Sequence, residues 1–194
     1  MREKELSNSP SQNTIHWFTG QIYRYETQKD LKLPYVDYNL LKENKEIALF
    51  KSKKILGRQL ISRQFRLQFN YVDIEFAFKK NLYAIYNLDE TRFSYFYLLS
   101  ILNCKLYSFL IIKLNTSSQR DDFPALSLED FRNFLIPEIS KKAQAPFIKK
   151  VEKILTLKKE NPQADTKKLE TEIDKMVYKL YELTDEEIAI VEGK

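Results

Sequence analysis

The sequence predicts an α+β fold, in which a β-rich unit with a central buried helix is followed by a C-terminal helical hairpin. Three patterns lead to this prediction. Apolar and polar residues alternate between positions 53 and 86, a nearly continuous apolar run occupies 94–113, and apolar residues recur at helical spacing after position 146. The chain has 194 residues, 43% hydrophobic and 13% aromatic, which suits one domain with a packed core.

Three parts are expected along the chain. Residues 1–14 are polar and are predicted to be an unstructured leader or the edge of a piece cut from a longer chain. Residues 15–138 are predicted to form the α+β domain, and residues 139–194 the helical hairpin packed on it.

The β-rich unit is predicted from short alternating runs. Residues 14–26 read as two short strands around Gly20, and residues 39–50 as a short helix. The segment KKILGRQLISRQFRLQF, residues 53–69, alternates between a mainly apolar and a mainly polar, basic face, with a bulge or turn expected near 62–64. A further alternating face and the strand LYAIYN follow. The apolar residues of that face are Val72, Ile74, Phe76 and Phe78.

The helices are predicted from apolar runs and capping residues. The run SYFYLLSILNCKLYSFLIIK is interpreted as a core helix rather than a membrane span, because Asn103 and Lys105 lie at its centre. Ser127 with Asp130 predicts a short helix start, and Thr184 with Glu187 predicts a capping box. Pro146 is expected in the first turn of another helix.

The next helix is expected from about Asp165 to Leu183, and its apolar residues are spaced four, three and four apart. This spacing predicts a packing seam, formed by Leu169, Ile173, Met176 and Leu180. Together with the preceding helix it would complete the hairpin.

Composition excludes several enzyme classes. With three glycines in the chain, neither a glycine-rich phosphate loop nor a dinucleotide fingerprint can be assembled. The single cysteine, Cys104, rules out a disulfide within one chain and favours a reducing, cytoplasmic location. An Asn/Asp-Pro-Pro-aromatic motif of adenine methylation is absent. We therefore predict that this fragment has no catalytic residues, no metal and no cofactor of its own.

Basic charge is concentrated between positions 51 and 80. Eight Lys and Arg face two acidic residues there, a net charge of +6 against +5 for the whole chain. Arginine matches guanine and glutamine matches adenine in the major groove, and lysine suits phosphates. Base-edge candidates and their neighbours are Arg58, Ser62, Arg63, Gln64, Arg66 and Gln68. Phosphate candidates are Lys53, Lys54, Lys79, Lys80 and Arg120, and a second reading loop would contain Ser117 and Gln119.

The order of segments resembles the TaqI-like C-terminal specificity domain of adenine-N6 DNA methyltransferases and type IIG restriction-modification enzymes. GQIYRY, KKILGRQLIS and NLYAIYN resemble its strands, and YLLSILNCKLYSFLI is similar to its LN-containing helix, with Cys104 where serine is common. SLEDFRNFLIPEI resembles the segment that follows. QAPFIKKVEKILTLKK and EIDKMVYKLYELTDEEIAIVE resemble the terminal helices.

The resemblance implies a bacterial module that reads a short sequence in double-stranded DNA. It also implies an N-terminal methyltransferase domain of the same chain, which would use S-adenosylmethionine, and magnesium if the enzyme also cleaves DNA. Membranes are not expected as partners.

Three alternatives remain open from the sequence. The chain could be half of a type I specificity subunit, or a pure interaction module that pairs through its helical hairpin. It could also be a metal-dependent nuclease fragment that uses Asp73, Glu75 and a nearby lysine such as Lys79.

Overall fold

The α+β fold is confirmed by a computed structural model. The structure describes residues 6–7, 10–18, 22–27, 35–37, 47–61, 66–79, 81–114, 125–133 and 135–193. Its strands are β1 Leu6–Ser7, β2 Thr14–His16, β3 Ile22–Tyr23, β4 Glu26–Thr27, β5 Tyr35–Asp37, β6 Lys54–Arg58, β7 Phe69–Val72 and β8 Leu82–Tyr86. Its helices are α1 Ile47–Lys51, α2 Tyr95–Asn103, α3 Lys105–Leu114, α4 Leu128–Arg132, α5 Lys141–Glu160, α6 Lys167–Leu180 and α7 Asp185–Glu192.

Strand β6 is the centre of a three-stranded antiparallel sheet with the order β7-β6-β8. Ile55 faces a large core built mainly from helices α2, α3, α5 and α6. Leu56 faces a second core, made by the N-terminal strands, α1 and residues 72–82. The sequence predicted one apolar and one polar face for this strand. That prediction is wrong for β6, because a separate core covers each of its two faces.

The segment 53–69 does not form one continuous strand. Strand β6 ends at Arg58 and β7 begins at Phe69, with Gly57 paired to Phe69 across the two strands. A Cβ on Gly57 would lie 2.1 Å from Cε1 of Phe69, so only glycine leaves room for that ring. The turn expected near residues 62–64 lies outside the described residues.

The N-terminal strands form two small sheets, ordered β1-β5-β2 and β3-β4. Leu6 of β1 pairs with Val36 of β5, so part of the expected leader takes part in a sheet. Backbone bonds then join β2 to the segment after β7, with the Ala77 N–H donating to the His16 carbonyl at 2.7 Å. In that segment Val72, Phe76 and Phe78 are buried as expected, whereas Ile74 is exposed.

The predicted central helix is buried but broken into α2 and α3, which meet at Cys104 at an angle of 57°. Cys104 lies in the N-cap position of α3, where its Sγ accepts from the Tyr107 N–H at 3.2 Å. Burial raises the pKa of this thiol to about 12. In the part of the chain that the structure describes, no single helix is long and apolar enough to cross a membrane, and α2 with α3 reaches that length only as a bent pair.

The C-terminal helices pack against α2 and α3, so the large core draws on residues from both sides of position 138. Helix α5 begins at Lys141, capped by Ser140, and not at Pro146 as predicted. The buried side chains of α6 are Ile173, Asp174, Val177 and Tyr178. The expected seam is therefore displaced: Leu169, Met176 and Leu180 are only partly buried beside the core. The predicted capping box at Thr184 and Glu187 is confirmed.

Candidate nucleic-acid interface

Gln59 joins three separate stretches of chain at one end of the central sheet. Its backbone N–H donates to the Asn81 carbonyl at 3.0 Å, and its own carbonyl accepts from the Leu126 N–H at 2.8 Å. Leu60 forms an isolated antiparallel bridge with Ala125. We call residues 58–60, 79, 81–82 and 125–126 the Gln59 junction.

Aromatic stacking fixes the junction to the sheet. The Tyr83 hydroxyl donates to the Leu126 carbonyl at 2.9 Å. The ring of Phe131 on α4 stacks on Phe69 and Tyr83, with centroid distances of 5.7 and 5.9 Å. The position of residues 125–126 is therefore set both by backbone hydrogen bonds and by packing.

The junction lies close in sequence to three stretches that the sequence singled out for DNA contacts. Residue 61 alone separates its first stretch from residues 62–65, residue 80 stands between two of its members in sequence, and residues 115–124 directly precede Ala125. Of the predicted contacts, the half-buried Arg58 and the exposed Lys79 belong to the junction itself. The predicted contacts that lie outside the described residues are Ser62, Arg63, Gln64, Lys80, Ser117, Gln119 and Arg120.

Arg66 and Gln68, also predicted to read bases, bind within the protein. The Arg66 Nη2 donates to the Asn103 carbonyl at 2.8 Å, at the C-terminal end of α2. The Gln68 Oε1 accepts from the Arg24 backbone N–H at 3.0 Å. Both side chains are half-buried, and a role at base edges would require them to give up these bonds.

The structure does not place Lys54 where a phosphate can reach it. Its side chain is fully buried, and its Nζ donates to the carbonyls of Phe50 at 3.0 Å and Ile74 at 3.2 Å. The ammonium also lies 5.3 Å from the centre of the Phe76 ring. Burial lowers the pKa of Lys54 to about 8, although nearby Asp73 and Glu75 oppose this shift. The expectation of a phosphate contact is therefore corrected to a structural role.

Lys53 is accessible but lies at the opposite end of β6 from the junction. Its side chain is 42% exposed, and its Nζ forms an ion pair with Glu90 Oε1 at 2.6 Å. The hydrogen bond to Glu90 raises the pKa of Lys53. In the sheet, Lys54 pairs with Tyr86 whereas Arg58 pairs with Leu82, which puts about 13 Å of strand between the two ends.

Sequence reasoning missed the residues that organise this end of the sheet. Gln59 and Leu126 act through backbone atoms, which leave no side-chain pattern. Asn103 does leave a signal, because an amide in the middle of an apolar run needs partners. Its Oδ1 accepts from the Phe69 N–H at 3.1 Å and its Nδ2 donates to the Phe69 carbonyl at 3.0 Å. This amide pairs with the outer edge of β7 as a neighbouring strand would.

The carboxylates proposed for the nuclease alternative are Asp73 and Glu75, and both are exposed just after β7. Within the described ranges, no group of three His, Cys, Asp or Glu side chains is placed to share a metal ion.

Comparison with known proteins gives the chain a family. The sequence model of the TaqI-like C-terminal specificity domain matches residues 16–136, a range that contains the whole Gln59 junction. A protein of Methanocaldococcus jannaschii, whose name proposes a type II restriction enzyme and methyltransferase, is 36% identical over 170 residues, or 86% of this chain. The chain spans 14% of that protein's length. It belongs to the TaqI-like C-terminal specificity domain family.

Proposed function

We propose that this chain recognises a short sequence in double-stranded DNA, as the specificity domain of a restriction-modification enzyme. The observation that carries the proposal is the Gln59 junction, which joins described residues next in sequence to the candidate reading segments, in a member of a specificity-domain family. Base reading needs a few side chains that reach base edges in one stretch of groove, and these can come from different parts of a chain. A rigid backbone connection between those parts meets this requirement.

The charges of the junction support the same function. Arg58 and Lys79 lie at the junction, within the stretch that carries a net charge of +6. Cations bind phosphates and release counterions, which gives affinity without specificity, while an arginine at a base edge adds discrimination. In this proposal Lys79 binds a phosphate and Arg58 reads a base edge.

The catalytic chemistry is assigned to another part of the enzyme. We propose that an N-terminal methyltransferase domain of the same chain binds S-adenosylmethionine and methylates adenine within the DNA sequence that the specificity domain selects. We propose that the enzyme acts in the cytoplasm. The name of the Methanocaldococcus relative, which includes a methyltransferase, supports this arrangement. Magnesium would be needed by a cleaving activity of the whole enzyme. The comparisons give no support to a type I specificity subunit or to a nuclease built on Asp73 and Glu75.

The test is selection from a random-sequence duplex pool at low and at physiological salt, followed by sequencing of the retained DNA. We expect a short motif that survives the higher salt. Arg58→Ala should relax the motif at one position, with a loss of about 1–3 kcal/mol in discrimination. The matched control is Arg92→Ala, because Arg92 is exposed and paired with Glu138 beyond the opposite end of the sheet. Retention without any motif would overturn the proposal.

A further inference from the structure

The return limb, residues 66–69, leads into β7 and is held by side chains from other elements. Besides the contacts of Arg66 and Gln68 described above, the Leu67 N–H donates to Ser108 Oγ at 3.2 Å and Phe69 is bound by Asn103 on both backbone atoms. Asn103 is 1% exposed and Ser108 2% exposed. The return limb is therefore held by the break between α2 and α3 and by Arg24.

Helix α6 holds both of these supports. Asp174 Oδ1 accepts from the Lys105 N–H at 2.8 Å, which caps the start of α3 directly after Asn103 and Cys104. Glu170 forms an ion pair with the Arg24 guanidinium, and the backbone of Arg24 binds Gln68. These two carboxylates lie one helical turn apart on α6, and each reaches a different support of the same limb.

The two limbs that flank residues 62–65 are joined by a backbone hydrogen bond from the Arg58 N–H to the Gln68 carbonyl at 3.0 Å, and each limb has further supports of its own. The limb before them is bound by backbone bonds at the Gln59 junction. The limb after them is bound by a buried polar network that ends in α6. Loss of the α6 contacts would weaken the side-chain supports of the return limb and leave its position beside the junction more dependent on the backbone bond between Arg58 and Gln68.

We propose that Glu170 and Asp174 are positioning residues for DNA sequence discrimination, acting through Arg24 and the α2–α3 break on the return limb. The C-terminal helices then contribute to specificity without contacting DNA. This inference rests on the proposed function and deepens it.

The experiment compares Glu170→Gln and Asp174→Asn with Glu172→Gln in the same duplex selection. Glu172 is a matched control, because it lies on α6, loses the same charge on substitution, and pairs with Lys150 of α5 rather than with the return limb. We expect Glu170→Gln and Asp174→Asn to select a degenerate motif and to lower the ratio of specific to random-duplex affinity about tenfold. Affinity for random duplex at low salt should match that of Glu172→Gln.

A second measurement follows the anchor itself without DNA. Hydrogen exchange of the Arg24 amide, which donates to Gln68 Oε1, should accelerate in Glu170→Gln and not in Glu172→Gln. Exchange of the Leu67 and Phe69 amides should accelerate in Asp174→Asn. Glu170 is 20% exposed in its side chain, so this variant is expected to fold even if Asp174→Asn does not. An unchanged motif and ratio in Glu170→Gln, or unchanged exchange, would overturn the inference. A wild-type chain that selects no motif, with faster exchange in Glu170→Gln, would instead locate the failure in the proposed function.

Discussion

The two ends of β6 carry the same kind of side chain in the sequence and use it in opposite ways in the structure. At the first end, Lys53 pairs with Glu90 and Lys54 is buried against backbone carbonyls. At the other end, Arg58 and Lys79 belong to the Gln59 junction, where backbone bonds join three separate stretches of chain. Both ends contribute to the local excess of positive charge, but at the first end the two ammonium groups are bound by a carboxylate and by backbone carbonyls.

The difference between the two ends shows that the surroundings of a lysine or arginine decide whether its charge stabilises the fold or remains available for binding. A lysine whose ammonium is bound by carbonyls inside a core costs desolvation free energy and repays it only through those hydrogen bonds. A cation at a sheet end keeps its hydration until a phosphate or base replaces it. A count of charges along a sequence includes both kinds of cation, so it overestimates the positive charge that is available for binding.

Charge reversal at each end of β6 should give the largest and most different effects. Lys54→Glu places a carboxylate among the carbonyls of Phe50 and Ile74, and we expect it to lower the free energy of unfolding by about 3–5 kcal/mol. Arg58→Glu is the counterpart: the fold should remain stable while DNA retention falls. Urea denaturation and duplex binding measure the two effects. Equal stability of both variants would contradict the difference between the ends.

The burial of Lys54 should also make the stability of the protein depend on pH. Its pKa is about 8 in the folded protein and 10.5 when unperturbed, so the burial penalty is fully present below pH 8 and disappears as the pH rises to 10.5. The stability of the wild type should therefore rise relative to Lys54→Met by about 1–3 kcal/mol between pH 7 and pH 10. Urea denaturation at both pH values measures this change. Lys53→Met is the control: the stability of the wild type relative to Lys53→Met should not rise between pH 7 and pH 10.

The smallest effects are expected for the two exposed lysines. Lys53→Ala removes an exposed ion pair with Glu90, and should change neither the unfolding transition nor DNA retention measurably. Lys79→Ala should leave the unfolding transition unchanged but weaken binding to all duplexes alike and flatten the salt dependence by about one unit. Measurement of duplex affinity at a series of salt concentrations distinguishes Lys53→Ala from Lys79→Ala. A salt slope changed by Lys53→Ala and not by Lys79→Ala would reverse the assignment of the two ends.

Much of the local structure could be predicted from residue patterns. The strand at residues 82–86, the start of α4 and the capping box at Thr184 depend on neighbours in sequence, and all three are found as expected. The start of α5 was misplaced because Pro146 fits a first turn, while Ser140 already caps a helix five residues earlier than that proline would require. The break at Cys104 could not be predicted from the sequence, because the residues beside it are bound by partners far away in the chain. The Phe69 N–H donates to Asn103 Oδ1, and Asp174 Oδ1 accepts from the Lys105 N–H.

The α+β class, most of the elements and the concentration of positive charge could be predicted from the sequence, because each follows from local spacing and composition. The order of segments further carried the specificity-domain resemblance. The coverage of β6 on both faces, the burial of Lys54 and the backbone bonds from Gln59 to Asn81 and Leu126 become visible in the folded chain alone. These features arise from contacts between residues distant in sequence and largely from backbone hydrogen bonds. Every residue type except proline can both donate and accept such bonds, so the pattern of side chains does not predict them.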